Sequence, residues 1–115
     1  MLNQIFLPQL FKDALTSVVN SLAKDCAKFY EVRLFGSCVK GNFSSKSDLD
    51  FLIITRNTTL TREERSQFRE VIADALEIYN LKSDVVFYTL FDYEHDSSNF
   101  TQSIHDNFLL LRGDD

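Results

Sequence analysis

Residues 34–54 read LFGSCVKGNFSSKSDLDFLII, and this stretch decides the fold. An apolar run ends at Gly36, a second glycine follows at Gly41, and Asp48 and Asp50 open the most hydrophobic run of the chain. Two of the three glycines in the chain lie here. The pattern indicates two strands joined by a polar loop, with a glycine ending the first strand and carboxylates starting the second.

The length and charge of the chain limit the possible classes of protein. Its 115 residues suit a single domain over residues 1–115, with an N-terminal helix within residues 1–30 and a core over residues 31–112. The formal net charge of −5 disfavours direct binding to nucleic acid or to an anionic membrane, because both are negatively charged. The sequence predicts no membrane span, no secretory signal and no disulfide framework, so we expect a cytoplasmic protein.

Hydrophobic periodicity predicts seven elements in the order α, β, β, α, β, α, β. A Thr-x-x-Glu capping box at Thr61 and Glu64 starts the second helix, and Asn80 is a left-handed stop after it. The helices are predicted over residues 7–26, 61–79 and 98–106, and the strands over residues 30–35, 48–55, 84–90 and 108–111. We therefore expect an α/β fold with a small mixed β-sheet and helices packed on it.

Three aspartates are candidates for chemistry at one edge of this sheet. Residues two apart on a strand share a face, so the carboxylates of Asp48 and Asp50 should lie close together. Two such charges repel each other unless a cation lies between them, and oxygen ligands of this kind suit Mg²⁺. Asp84 begins the next β-run and could supply the third carboxylate of a two-metal site. Taken alone, Asp48 is better explained as a turn cap, Asp50 as an exposed strand residue and Asp84 as a strand start than as metal ligands.

The glycine segment is a candidate phosphate site. Gly36 and Ser37 end a strand, where free backbone N–H groups and a hydroxyl can bind an anion. Gly36 to Gly41 also matches the start of a P-loop, but Asn42 and Phe43 stand where that motif needs Lys and then Ser or Thr. The P-loop interpretation is therefore rejected.

Together these residues resemble a known pattern: Gly36-Ser37, a glycine four residues after the serine, the D-x-D of Asp48 and Asp50, and the distant Asp84. The pattern is similar to that of the nucleotidyltransferase superfamily that includes DNA polymerase β. Over residues 32–112 the chain most resembles the minimal nucleotidyltransferases of bacteria and archaea. The resemblance implies a polymerase β-like fold.

The resemblance also implies a role for each residue. Asp48 and Asp50 would bind two Mg²⁺ ions that hold ATP or another nucleoside triphosphate, and Asp84 would join one metal and help to activate the acceptor hydroxyl. Gly36 and Ser37 would hold the β- and γ-phosphates. The implied reaction is in-line attack on the α-phosphorus with release of pyrophosphate.

One position departs from the family pattern. Many relatives carry arginine directly after the glycine-serine pair, where this chain has Cys38. Lys40 or Lys46 could supply the positive charge instead, and Lys40 is the candidate nucleotide-binding residue. We expect Cys38 to be a small packing residue, and His95 and His105 to lie on the surface.

The resemblance further implies a partner, since minimal nucleotidyltransferases often act as antitoxins of a helical HEPN-type toxin by transferring AMP to it. Three functions remain open: an enzyme that adenylylates a partner protein, a non-catalytic antitoxin that binds its toxin, and an enzyme acting on a small hydroxylated molecule such as an aminoglycoside. The intact carboxylate set favours the first over the second, and the short chain disfavours the third. Phe91, Tyr93 and Phe100 are candidates for exposed aromatic residues that dock a partner protein, and the alternative is that they complete the small core.

Overall fold

The computed structural model describes residues 8–26, 29, 31–36, 38–39, 48–56 and 58–113. Within these ranges the chain forms four helices and four strands. In chain order they are α1 (Gln9–Asp25), β1 (Glu31–Phe35), β2 (Leu49–Thr55), α2 (Arg62–Glu77), β3 (Ser83–Thr89), α3 (Leu90–His95), α4 (Asn99–Asp106) and β4 (Leu109–Gly113). No helix in the described ranges is both long enough and apolar enough to cross a lipid bilayer.

The strands form one four-stranded mixed sheet in the order β3-β2-β1-β4. β1 pairs antiparallel with both β2 and β4, whereas β2 and β3 pair in parallel through the α2 crossover. Parallel neighbours need such a crossover, because a short turn can only return the chain antiparallel. The predicted α/β class and mixed sheet are thus confirmed.

The main core lies between α1, α2 and one side of the sheet, which we call the first face. Val18 of α1 and Ile72 of α2 are fully buried against Phe51 and Ile53 of β2. These side chains recur at helical spacing on the helices and at every second residue on the strand, so each element turns one apolar side inward. The predicted amphipathic helices are confirmed here.

The opposite side of the sheet, the second face, is covered by the two short helices. Leu52 and Ile54 of β2 pack there with Tyr93 of α3 and Ile104 of α4. Because helices cover both faces, β2 is apolar at consecutive residues rather than at alternate ones. This double burial explains why β2 is the most hydrophobic run of the chain.

Local capping places the helices as the sequence indicates. Thr61 and Glu64 form the expected reciprocal capping box at the start of α2. Asn80 has φ 57°, in the left-handed region, and ends the turn after α2. Ser98 caps α4 by accepting a hydrogen bond from the backbone N–H of Thr101.

One helix was missed by the sequence prediction, and two expectations change with it. The strand expected over residues 84–90 ends at Thr89, and α3 begins at Leu90. The Thr89 hydroxyl accepts a hydrogen bond from the backbone N–H of Asp92, which stops the strand and starts the helix. Tyr93, expected as an exposed docking residue, is instead only 2% exposed in the second-face core.

Candidate functional site

The structure brings the three candidate aspartates to one end of the second face. Asp48 directly precedes β2 and Asp50 lies within it, two residues on and on the same side as Leu52. Asp84 of β3 is the register partner of Asp50 in the parallel pair. Register partners on neighbouring strands present their side chains on the same face. The strand register therefore brings Asp50 and Asp84 together on one face, with Asp48 two residues before Asp50.

The trio concentrates negative charge. Burial raises the pKa of the Asp50 carboxyl above its ordinary value, and the nearby charges of Asp84 and then Asp48 raise it further. Asp48 and Asp84 are exposed, and Asp50 is half-buried between them. Burial and both neighbouring charges disfavour the ionised form of Asp50, and a bound cation would stabilise that form.

The carboxylate oxygens of the trio are ligands of the kind that a divalent cation takes. Within the described residues, no three or more His, Cys, Asp or Glu side chains form a group that could hold a metal ion by themselves. Mg²⁺ commonly uses one or two carboxylates together with substrate phosphates and waters, so a closed protein cage is not required. The hard oxygen ligands and the mutual repulsion at Asp50 both agree with a site completed by a metal–triphosphate complex.

Gly36 makes room for the central carboxylate. It follows β1, whose last residue, Phe35, is the register partner of Asp50. Its φ of +87° lies in the left-handed region that side chains disfavour. A Cβ at this position would overlap Oδ2 of Asp50 and stand 3.0 Å from its Cγ. Sequence reasoning gave Gly36 a phosphate-binding role but missed this contact, which depends on the register of two antiparallel strands.

Cys38 is a packing residue, as expected. It is 1% exposed and belongs to the first-face core. Burial raises the pKa of its thiol, and the nearby Asp50 charge raises it further. A thiol of this kind stays protonated and cannot replace the arginine of the family pattern. Ser37, Lys40 and Lys46, the other candidate ligands of the triphosphate, lie outside the described residues.

Two phenylalanines border the carboxylates. Phe35 lies across from Asp50, and its ring meets the ring of Phe100 edge to face, with centroids 5.7 Å apart and planes at 89°. Phe100 remains 43% exposed and Phe91 59% exposed. His95 is exposed, as expected, and stacks on Phe91 at 4.0 Å. The proximity of Phe100 to the site follows from tertiary packing and has no local sequence signal.

Arg33, a cation of the second face, is engaged in the fold. Its guanidinium pairs with Glu31, donates a hydrogen bond of 3.1 Å to the Tyr93 hydroxyl, and lies 4.2 Å from the centre of the Phe108 ring. These contacts fix α3 and β4 against β1. Arg33 is thus a structural residue in the middle of the face, away from the carboxylate end.

The chain matches the family model of the nucleotidyltransferase domain over residues 19–110. A solved toxin–antitoxin structure with AMP-PNP is 22% identical, with a TM-score of 0.63 over 86% of this chain and 73% of that one. A mutant of the toxin–antitoxin MntA–HpeT is 19% identical, with a TM-score of 0.63 over 86% of this chain and 72% of that one.

A further solved structure, described as a minimal nucleotidyltransferase, is 16% identical. Its TM-score is 0.61 over 88% of this chain and 92% of that chain. At these identities the likeness concerns the fold, which agrees with the polymerase β-like fold expected from the sequence. No curated protein sequence matches the chain.

Proposed function

The chain belongs to the nucleotidyltransferase domain family, and we propose that it transfers AMP from ATP to a hydroxyl of a partner protein. The observation that carries the proposal is the placement of Asp48, Asp50 and Asp84 at one end of one sheet face. The family match confirms the expected class of enzyme, nucleotidyltransferase. The nucleotide, the acceptor and the roles of individual residues belong to the proposal.

The three aspartates are the proposed metal ligands. Asp48, Asp50 and Asp84 would hold two Mg²⁺ ions, and these ions would neutralise phosphate charge and stabilise the pyrophosphate leaving group. The raised pKa of Asp50 agrees with this assignment: burial is its main cause, and repulsion from Asp84 and then Asp48, which bound cations would offset, raises the pKa further. Gly36 gives Asp50 the space to take part.

The transfer is a single displacement at phosphorus. The acceptor oxygen forms a bond to the α-phosphorus, and the bond from that phosphorus to the bridging oxygen breaks, so pyrophosphate leaves. The acceptor hydroxyl gives its proton to the carboxylate of Asp84, which acts as general base. Backbone N–H groups at Gly36 and Ser37, together with Lys40, bind the β- and γ-phosphates and hold the leaving group in line.

The proposed partner is a HEPN-type toxin, for which this protein is the antitoxin in the cytoplasm. Two of the structural neighbours are toxin–antitoxin structures, one of them with the ATP analogue AMP-PNP, and this supports both partner and nucleotide. The exposed ring of Phe91 on α3 adds an apolar surface suited to a protein contact. The net charge of −5 makes a protein acceptor a better match than a nucleic acid.

A transfer assay tests the proposal directly. The protein is incubated with ATP, Mg²⁺ and the proposed HEPN-type partner, and intact-mass spectrometry follows the partner. We expect the partner to gain the mass of one AMP group at a hydroxyl side chain. Asp48→Ala and Asp50→Ala should reduce the rate by a factor on the order of a thousand or more, because each removes several kcal/mol of charge stabilisation.

Asp74→Asn is the matched control, since it removes an exposed carboxylate on α2 outside the candidate site. It should transfer AMP at the wild-type rate. A stable complex with no mass gain would identify a binding antitoxin instead. Equal mass gain by the wild type and both alanine variants would show that Asp48 and Asp50 are not the metal ligands.

A further inference from the structure

We propose that Phe100 and Phe35 form the contact for the nucleobase of the substrate. This inference rests on the proposed nucleotide site and adds to it the residues that hold the base. Phe35 and Asp50 are register partners, and partners in an antiparallel pair lie about 5 Å apart at their Cα atoms. The Phe100 ring centre is 5.7 Å from that of Phe35. The aromatic pair therefore borders the central carboxylate.

Part of the Phe100 ring can contact a ligand, because other residues anchor α4 and this ring is only partly buried in the fold. The anchors of α4 on the second face are Thr101 and Ile104, at 0% and 1% exposure. Phe100 itself is 43% exposed, and an edge-to-face pair uses only one face of one ring. An aromatic surface thus remains open to solvent beside a charged site, where a planar base could cover it.

The order of the site residues across the sheet indicates that the nucleotide, and not the acceptor, contacts Phe35 and Phe100. Phe35 ends β1 and Gly36 follows it, Asp48 directly precedes β2 and Asp50 lies within it, and β3 carries Asp84. In the proposed function, Gly36 lies on the triphosphate side and Asp84 on the acceptor side. The aromatic pair is on the β1 side, so it belongs with the triphosphate. The acceptor approaches from the β3 side, across Asp50.

The chemistry of the contact sets the substrate preference. A phenylalanine pair offers flat apolar surface and no hydrogen-bond donors, so it responds to the size of the base and not to its edge groups. Purine nucleotides should therefore bind more tightly than pyrimidine nucleotides. Removal of the Phe100 ring should weaken the contact with the base and leave the contacts with the triphosphate unchanged.

Titration calorimetry with two ligands tests the inference without any transfer reaction. ATP and inorganic tripolyphosphate, each with Mg²⁺, are titrated into the wild type, Phe100→Ala, Phe100→Leu and Phe100→Tyr. Phe91→Ala is the matched control, because Phe91 is also an exposed phenylalanine but lies on α3 against His95. The leucine variant keeps an apolar side chain to pack on Phe35, which guards against loss of folding.

Phe100→Ala and Phe100→Leu should weaken ATP binding about fivefold to tenfold and leave tripolyphosphate binding unchanged. Phe100→Tyr and Phe91→Ala should bind both ligands as the wild type does. Equal ATP affinity in the wild type and the alanine variant overturns the inference alone, as does an equal loss for both ligands. A wild type that binds neither ligand overturns the proposed nucleotide site itself.

Discussion

The two ends of the parallel pair β2 and β3 differ in the contacts of their polar side chains: carboxylates repel each other at one end, and hydroxyls are hydrogen-bonded at the other. At the starting end, register partners Asp50 and Asp84 place like charges side by side. At the finishing end, the register partners are Thr55 and Thr89. The Thr55 hydroxyl donates to the carbonyl of Thr58 at 2.7 Å, and the Thr89 hydroxyl caps α3.

The finishing end also borders a cavity of about 440 Å³. This cavity runs along β3 from residue 85 to residue 89, and its lining includes both threonines, Arg65 and Arg69. Arg65 donates to the carbonyl of Leu60, and Arg69 lies over the ring of Phe87. Each of these polar groups already has a contact within the chain. The described carboxylates that repel one another, Asp50 and Asp84, are at the other end, which is where a bound cation can add most binding energy.

The largest expected effect comes from closing the space at the carboxylate end. Gly36→Ala should lower the free energy of unfolding by about 3 kcal/mol and remove nucleotide binding. About 1–2 kcal/mol of this is the cost of a side chain at φ +87°, and the rest is displacement of Asp50. Urea denaturation measures the stability loss, and calorimetry with MgATP measures the binding.

The double variant Gly36→Ala/Asp50→Ala separates the cost of the backbone conformation at position 36 from the cost of displacing Asp50. In an Asp50→Ala background the new methyl group no longer meets a carboxylate, so Gly36→Ala should cost only the backbone part. Additive losses in the double variant would show that Gly36 and Asp50 do not interact, and the space-making role assigned to Gly36 would then be wrong.

Much of the carboxylate end could be predicted because its signals are local. The two-residue spacing of Asp48 and Asp50 on a strand is enough to put them on one face. The capping box that starts α2 was equally readable. The adjacency of Asp84 followed only if β2 and β3 paired in parallel, and the structure confirms that pairing.

Other features depend on contacts between distant residues or on competing local signals. The overlap between Gly36 and Asp50 depends on the register of β1 and β2, which no single segment encodes. α3 was missed because Leu90 and Phe91 continue a β-branched and aromatic run that favours a strand. The Thr89 cap overrides that preference by giving the turn a hydrogen-bond acceptor.

A smaller effect is expected at the finishing end. Thr89→Ala removes the cap of α3 and should lower the free energy of unfolding by about 1 kcal/mol. Nucleotide binding should stay unchanged, because Thr89 is at the opposite end of β3 from Asp84. Thr89→Ser is the matched control and should keep most of the stability, since serine caps in the same way. A loss of MgATP affinity in the alanine variant would contradict the independence of the two ends.

The smallest effect is a pH dependence with opposite signs at two carboxylates of the second face. The pKa of Asp50 is raised, chiefly by burial, so its ionised form costs the fold stability at neutral pH. The pKa of Asp96 is lowered, chiefly by the backbone N–H of Ser98, with a further hydrogen bond from the Tyr88 hydroxyl. Its ionised form stabilises the fold. Asn at either position removes the charge with little change in shape.

At pH 7 Asp50→Asn should raise the free energy of unfolding by about 0.5 kcal/mol, a value reduced for solvent screening, and Asp96→Asn should lower it. The difference in free energy of unfolding between the wild type and Asp50→Asn should shrink as the pH falls from the raised pKa of Asp50 to the ordinary value of 3.8. The stability lost in Asp96→Asn should be constant above about pH 4 and should vanish only as the pH falls through the lowered pKa of Asp96. Urea denaturation of both variants between pH 3.5 and 7, without Mg²⁺, measures these differences. An Asp50→Asn variant less stable than the wild type at pH 7 would show that the ionised Asp50 carboxylate does not cost the fold stability, and the contrast between Asp50 and Asp96 would then be wrong.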